Sequence, residues 1–158
     1  MVQSNNEFLQ GLHIDNLQRK VGDVAFDANL APDILRFTQL CQWLVGQGCG
    51  LAMFGTNSEG NSLSLEERAE LLYAAIDAGV PAHRMLPGTG SCSLTDAVRM
   101  TRIAVEQGCA GVLALPPFYY KHITDDGLFA FFSELIERVG DSRLRLYLYH
   151  IPPVAQVG

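Results

Sequence analysis

The sequence predicts an α/β fold, a partial (β/α)8 TIM barrel holding about the first four to five β/α units. Three observations carry this. Short runs apolar on both faces alternate with helical patterns from Pro32 onward, and each helical pattern is punctuated at both ends. A Gln-Gly-Cys signature also recurs, as Gln47-Gly48-Cys49-Gly50 and Gln107-Gly108-Cys109-Ala110-Gly111, each time ahead of an apolar run. Runs apolar on both faces are the mark of parallel strands buried under helices, and the recurrence fits a repeating β/α geometry.

The elements follow in order. Residues 1 to 23 do not read as a clean first barrel strand, so the barrel portion is placed at 24 to 158, with a doubtful first strand around Val24 to Phe26. Pro32 suits a first helical position, and Ile34, Leu35, Phe37, Leu40, Cys41 and Leu44 recur at helical spacing before Gly46 and Gly48 stop the pattern. Residues 51 to 54 form the next strand, and residues 55 to 60, Gly-Thr-Asn-Ser-Glu-Gly, its turn. Ser64-Leu65-Glu66-Glu67 is a capping box ahead of Leu71, Leu72, Ala75 and Ile76, and Gly79 with Pro81 ends that helix. A strand at 85 to 88 leads to a helix opened by Ser93-Leu94-Thr95-Asp96, carrying Val98, Ile103 and Val105 and closed by Gly108. A strand at 111 to 115 leads to a helix opened by Thr124, running through Leu128, Phe131, Phe132, Leu135 and Ile136 to Gly140. Residues 144 to 149 are the last strand, ending in Tyr149, His150 and the stop Pro152-Pro153.

A closed eight-stranded barrel takes ~250 residues. The 158 residues here reach only about the fifth strand and leave a parallel edge uncovered after Tyr149. The rival reading of the same pattern is a complete doubly wound α/β domain with Pro152-Pro153 as its natural stop.

Composition narrows the function classes. With 48% hydrophobic residues the chain can bury a sizeable core. A formal charge of −6, a pI near 5.1 and no clustered Lys/Arg face argue against nucleic acid or an anionic membrane surface as partner. No apolar stretch approaches the ~20 residues that span a bilayer, and residues 1 to 10 lack the pattern of a signal peptide, so a soluble cytoplasmic protein is expected. The four cysteines, Cys41, Cys49, Cys92 and Cys109, lie far apart on apparent helix ends and turns and read as reduced thiols. The four histidines, His13, His83, His122 and His150, form no metal-ligand spacing, so no metal is expected. Gly88-Thr89-Gly90 follows a strand but lacks the further residues of a phosphate loop.

Chemistry concentrates at two strand ends. A tyrosine at the C-terminal end of a strand, Tyr149, and a hydroxyl-bearing turn at another, residues 55 to 60, stand where α/β proteins place their sites. An isolated phenol with a pKa of about 10 is a poor acid or base at neutral pH, so a tyrosine that moves protons needs a second hydroxyl to hold it. The bland reading of Tyr149 is a core tyrosine whose hydroxyl meets a backbone carbonyl. A turn of small residues ahead of a helix can also hold a carboxylate, with Gly55, Thr56 and Asn57 as the binding candidates.

These segments resemble a known family. Gly55-Thr56-Asn57-Ser58-Glu59-Gly60 stands for the motif G-[TS]-T-G-E-x, Leu115-Pro116-Pro117-Phe118-Tyr119-Tyr120-Lys121 for x-x-P-Y-Y, and Tyr149-His150-Ile151-Pro152 for Y-N-[IV]-P. In this order and spacing they resemble the N-terminal half of the dihydrodipicolinate synthase/N-acetylneuraminate lyase family, pyruvate-dependent class I aldolases. The resemblance implies a relay of Tyr149, Thr56 and a second tyrosine often lent across a subunit interface, Tyr119 or its neighbour Tyr120. It implies a lyase or synthase acting on a 2-oxo acid and an aldehyde, a homo-oligomer when full length, and no cofactor. Asn57 and Ser58 depart from the commoner Thr-Gly, although Asn tolerates left-handed conformations and Ser restores a hydroxyl.

Two further departures matter. The resemblance implies a Schiff-base lysine at the end of a sixth strand, beyond residue 158, whereas the lysines present are Lys20 and Lys121 and neither matches it. The chain alone is therefore expected to be inactive. After Y-N-x-P, dihydrodipicolinate synthases proper read x-R-T-G, and Val154 stands in the arginine's place. The readings left by the sequence are the N-terminal half of such an aldolase, a catalytically inactive remnant or interaction protein, and an independent α/β ligand-binding domain.

Overall fold

The computed structural model describes Val24 and residues 26 to 155. Five helices and two regular strands follow in order: α1 (Ile34–Gly46), α2 (Leu65–Asp77), α3 (Leu94–Glu106), β1 (Val112–Ala114), α4 (Asp125–Val139), β2 (Leu146–Leu148) and the short α5 (Pro152–Ala155).

The helix starts are set by local hydrogen bonding. Ser64 accepts from the Glu67 N–H while Glu67 returns a bond to the Ser64 N–H, so the capping box at α2 is complete. Ser93 and Thr124 cap α3 and α4 through the N–H groups of Asp96 and Gly127. At α1 the expectation is corrected. Asp33, not Pro32, precedes the first helical residue, and its carboxylate accepts from the Arg36 N–H at 3.0 Å. A side chain that satisfies an orphan N–H fixes the boundary more firmly than a residue merely compatible with it. Pro32 lies outside, in an antiparallel bridge to Phe26, which is what the described residues show at the expected first strand.

The repeated Gln-Gly-Cys signature is a helix stop used twice. Gly48 and Gly108 have φ of 84° and 75°. In each case the glycine N–H returns to the carbonyl three residues back, on Val45 or Val105, and the cysteine N–H to the one five back, on Leu44 or Ala104. This Schellman pair satisfies the last carbonyls and turns the chain into the next strand.

Strand pairing runs in chain order. Leu51 bridges Met85, Gly88 bridges Leu113, and β1 pairs with β2 with Val112 opposite Leu146, all in parallel. A doubly wound sheet reverses its order at a switch point. Here each segment lies beside its predecessor, the winding of a barrel. Helices α1 to α4 follow the same order, each packed on the next. Leu44, Leu51, Met53, Leu71, Leu72, Met85 and Met100 form the main core between helices and strands, and Ala97, Val98, Leu135 and Val139 a second cluster between α3 and α4. Because the segments are parallel, residues 55 to 60, 88 to 93, 115 to 120 and 149 to 151 all leave from the same rim.

Candidate active site

The rim is built around the turn after Leu51. Gly55 presents its carbonyl to two donors, the N–H of Ser58 at 3.2 Å and of Gly60 at 3.1 Å, which folds residues 56 to 58 into a 3-10 turn, and the Ser62 N–H on the Glu59 carbonyl at 2.8 Å folds residues 60 to 62 into the next. Glu59 between them takes the left-handed conformation, φ 53°, that was expected to suit Asn57. The hydroxyl of Ser58 does not face the rim, since it points inward to the Ala52 carbonyl at 3.4 Å and the residue is buried. Asn57 is exposed. Thr56 is different: its hydroxyl is buried and has no hydrogen-bond partner among the described residues. A buried hydroxyl in that state carries a free-energy cost unless something binds it.

Tyr149 arrives at the same place from β2. Its N–H donates to the Ala114 carbonyl at 2.9 Å, which carries the strand pairing one residue past β2 and fixes the backbone at the rim. Its half-buried ring lies over the turn, with Cε1 3.9 Å from where a Cβ on Gly55 would stand. Tyr149, Gly55 and Thr56 are thus brought together.

Tyr119 is not packed with them. It is 75% exposed and Tyr120 57%, their rings stacked edge-on at 5.5 Å. A turn closed by the Tyr120 N–H on the Pro117 carbonyl, and the Tyr119 N–H on Cys92 Sγ at 3.3 Å, hold this segment at the surface. Lys121 is also exposed, its ammonium donating to the Phe118 carbonyl at 2.8 Å, the setting of a solvated amine.

Two buried groups escaped sequence reasoning. Thr101 donates to Thr89 at 3.0 Å with both residues fully buried, tying α3 to the turn after Met85. Arg68 of α2 is 7% exposed, donates weakly to the Gly90 carbonyl at 3.4 Å and leaves Nε unpartnered among the described residues. Burial pulls its guanidinium below the ordinary arginine range, opposed by the charge of Asp96. The signal was present: Arg68 lies four residues before Leu72, on the buried stripe of α2. Cys41 is also corrected: it sits mid-helix in α1, buried, not at a helix end. Among the described residues no three His, Cys, Asp or Glu side chains cluster as a metal would require, and no helix is long and apolar enough to cross a membrane.

Residues 24–157 match the family model described as the dihydrodipicolinate synthetase family. The chain belongs to that family. A 4-hydroxy-tetrahydrodipicolinate synthase from Synechococcus sp. (strain CC9605) is 39% identical over 128 residues, covering 80% of this chain and 41% of the relative. The dihydrodipicolinate synthase of Agrobacterium tumefaciens superposes with a TM-score of 0.80 at 32% identity, covering 87% of this chain and 50% of that one. A variant of the Sulfolobus solfataricus 2-keto-3-deoxygluconate aldolase, solved as a pyruvate complex, gives a TM-score of 0.76 at 26% identity, covering 86% and 45%. The fold is thus a partial (β/α)8 barrel of the dihydrodipicolinate synthetase family, and the chain spans two-fifths to one half of the length of these relatives.

Proposed function

We propose that this chain supplies the tyrosine and hydroxyl side of the site in a Schiff-base aldolase-type lyase or synthase acting on pyruvate, or a related 2-oxo acid, and an aldehyde. The observation that carries the reading is the unpartnered buried hydroxyl of Thr56, placed in the turn on which the Tyr149 ring lies. Within it Tyr149 transfers the proton, Thr56 holds the phenol, and the turn at Gly55, Thr56 and Asn57 receives the 2-oxo acid carboxylate. Membership of a family whose relatives include a pyruvate-bound aldolase supports the substrate class. Tyr119, exposed on its own chain, completes the relay across a subunit contact in a homo-oligomer, with Tyr120 as its alternative.

The Schiff-base amine comes from outside these 158 residues. Lys121 is engaged at the surface, and Lys20 precedes residue 24, where the match to the family begins. We therefore propose that the chain by itself is inactive, that no cofactor is needed, and that the complete protein is cytoplasmic.

The acceptor is read from Val154. It stands half-buried in α5, with its N–H bonded to the Ile151 carbonyl at 3.0 Å, where synthases proper have an arginine. An apolar side chain cannot pair with a second carboxylate, and an unpaired buried charge costs several kcal/mol. The aldehyde is therefore neutral near this position, as for sialic acid lyases or 2-keto-3-deoxy sugar acid aldolases, and the protein is not a true dihydrodipicolinate synthase. The test is pyruvate with a panel of aldehydes, using the protein with its lysine-bearing half. Sugar-derived aldehydes are expected to condense faster than aspartate semialdehyde. The reverse order would overturn the acceptor assignment, and no condensation with any aldehyde would overturn the aldolase reading.

A further inference from the structure

Phe54 closes the strand segment ahead of the site turn with a backbone φ of 58°, a left-handed conformation that bulky L-residues avoid. Packing holds it there from three sides. Its ring, 4% exposed, stacks on Phe37 of α1 with centroids 6.0 Å apart and planes 17° apart. Its carbonyl occupies the space that a Cβ on Gly60 or on Gly88 would need, so a side chain at either position must displace the Phe54–Gly55 peptide. Gly88 is itself fixed by its N–H on the Met53 carbonyl at 2.6 Å. The disfavoured conformation is imposed one residue before Gly55, whose carbonyl organises the turn, and two before the unpartnered hydroxyl of Thr56. Backbone strain that packing enforces beside a site is a means of preorganisation.

We infer that Phe54, clamped between Gly60 and Gly88 and anchored on Phe37, is the positioning residue that aims the Thr56 hydroxyl into the site beside Tyr149. The kinetic part of this inference rests on the aldolase reading; the geometric part does not. Gly88→Ala is the direct probe, because it pushes the Phe54 carbonyl while leaving Thr56 and Tyr149 chemically intact. In the native, lysine-bearing protein it is expected to lower kcat about tenfold or more, since small misplacements of a catalytic group are costly. Added to Thr56→Val, it is expected to cost less than about twofold further, because the hydroxyl it misplaces is already gone. Costs that multiply would overturn the positioning role.

A second readout is independent of turnover. The methyl resonance of Thr56 is expected to shift in Gly88→Ala while that of Thr38 in α1 stays in place. An unmoved Thr56 methyl in the folded variant overturns the inference. If Gly88→Ala does not fold, Phe37→Leu removes the stacked ring without touching the turn, and both readouts apply to it unchanged. Should Thr56→Val leave turnover intact, the aldolase relay fails, and the methyl shift still decides the positioning of Thr56.

Discussion

The ring of Tyr149 rests on Gly55, with Cε1 3.9 Å from where a Cβ would stand. Two residues far apart in sequence meet because four parallel segments wound in chain order carry the turn after Leu51 and the end of β2 to the same rim. Thr56 follows Gly55 with a hydroxyl that nothing among the described residues satisfies.

The capping box at α2 gives a stability prediction. Ser64→Ala removes the acceptor for the Glu67 N–H, 3.1 Å away, and leaves only the bond from the residue 64 backbone N–H to the Glu67 carboxylate. The loss should be about 1 kcal/mol. A urea melt should show a lower midpoint with an unchanged slope. A midpoint equal to that of the parent would mean that tertiary packing alone holds the start of α2.

Buried thiols make the fold sensitive to alkali. Burial pushes the Cys41 thiol from 9.0 up to about 12 and that of Cys109 up to about 11. A group whose folded pKa lies above its unfolded value contributes its stability below the unfolded value and loses it as pH rises through the folded one. Stability should therefore decline from about pH 9 upward, because the unfolded chain releases protons that the folded chain retains. Cys41→Ala should flatten that decline in pH-dependent melts, and an unaltered alkaline slope would count against it.

The edge of β2 predicts association. Among the described residues β2 pairs only with β1, and Leu148 is 65% exposed beside it. An uncovered parallel edge flanked by apolar side chains recruits other chains. Residues 1 to 158 expressed alone should self-associate or bind a hydrophobic dye. A monodisperse monomer with a sharp two-state melt would favour an independent domain.

Local signals were legible in the sequence and long-range ones were not. Ser64, Ser93 and Thr124 act on N–H groups three residues away, so their caps could be read directly. Of the strands expected at 51 to 54 and 85 to 88, the structure keeps single parallel bridges at Leu51, Met85 and Gly88. Pro87 has no N–H to give to a ladder, and the chain already turns at Met53 and Phe54. At the site, motif order pointed to the turn at Gly55 and Thr56 and to Tyr149 as neighbours, and the buried stripe of α2 carried the signal for Arg68, whereas the left-handed Phe54 depends on neighbours supplied by other elements. The exposure of Tyr119 was not legible either, since it depends on how residues 115 to 120 fold against Cys92.

The most direct test of the central claim is the turnover of Tyr149→Phe in the lysine-bearing protein, followed as carbon-carbon bond formation between pyruvate and its preferred aldehyde. The ring and its contact with Gly55 remain, so the fold should be retained while the phenol's proton transfer is lost. Turnover is predicted to fall by about 10² or more with an unchanged melting profile. Unchanged turnover would contradict the account.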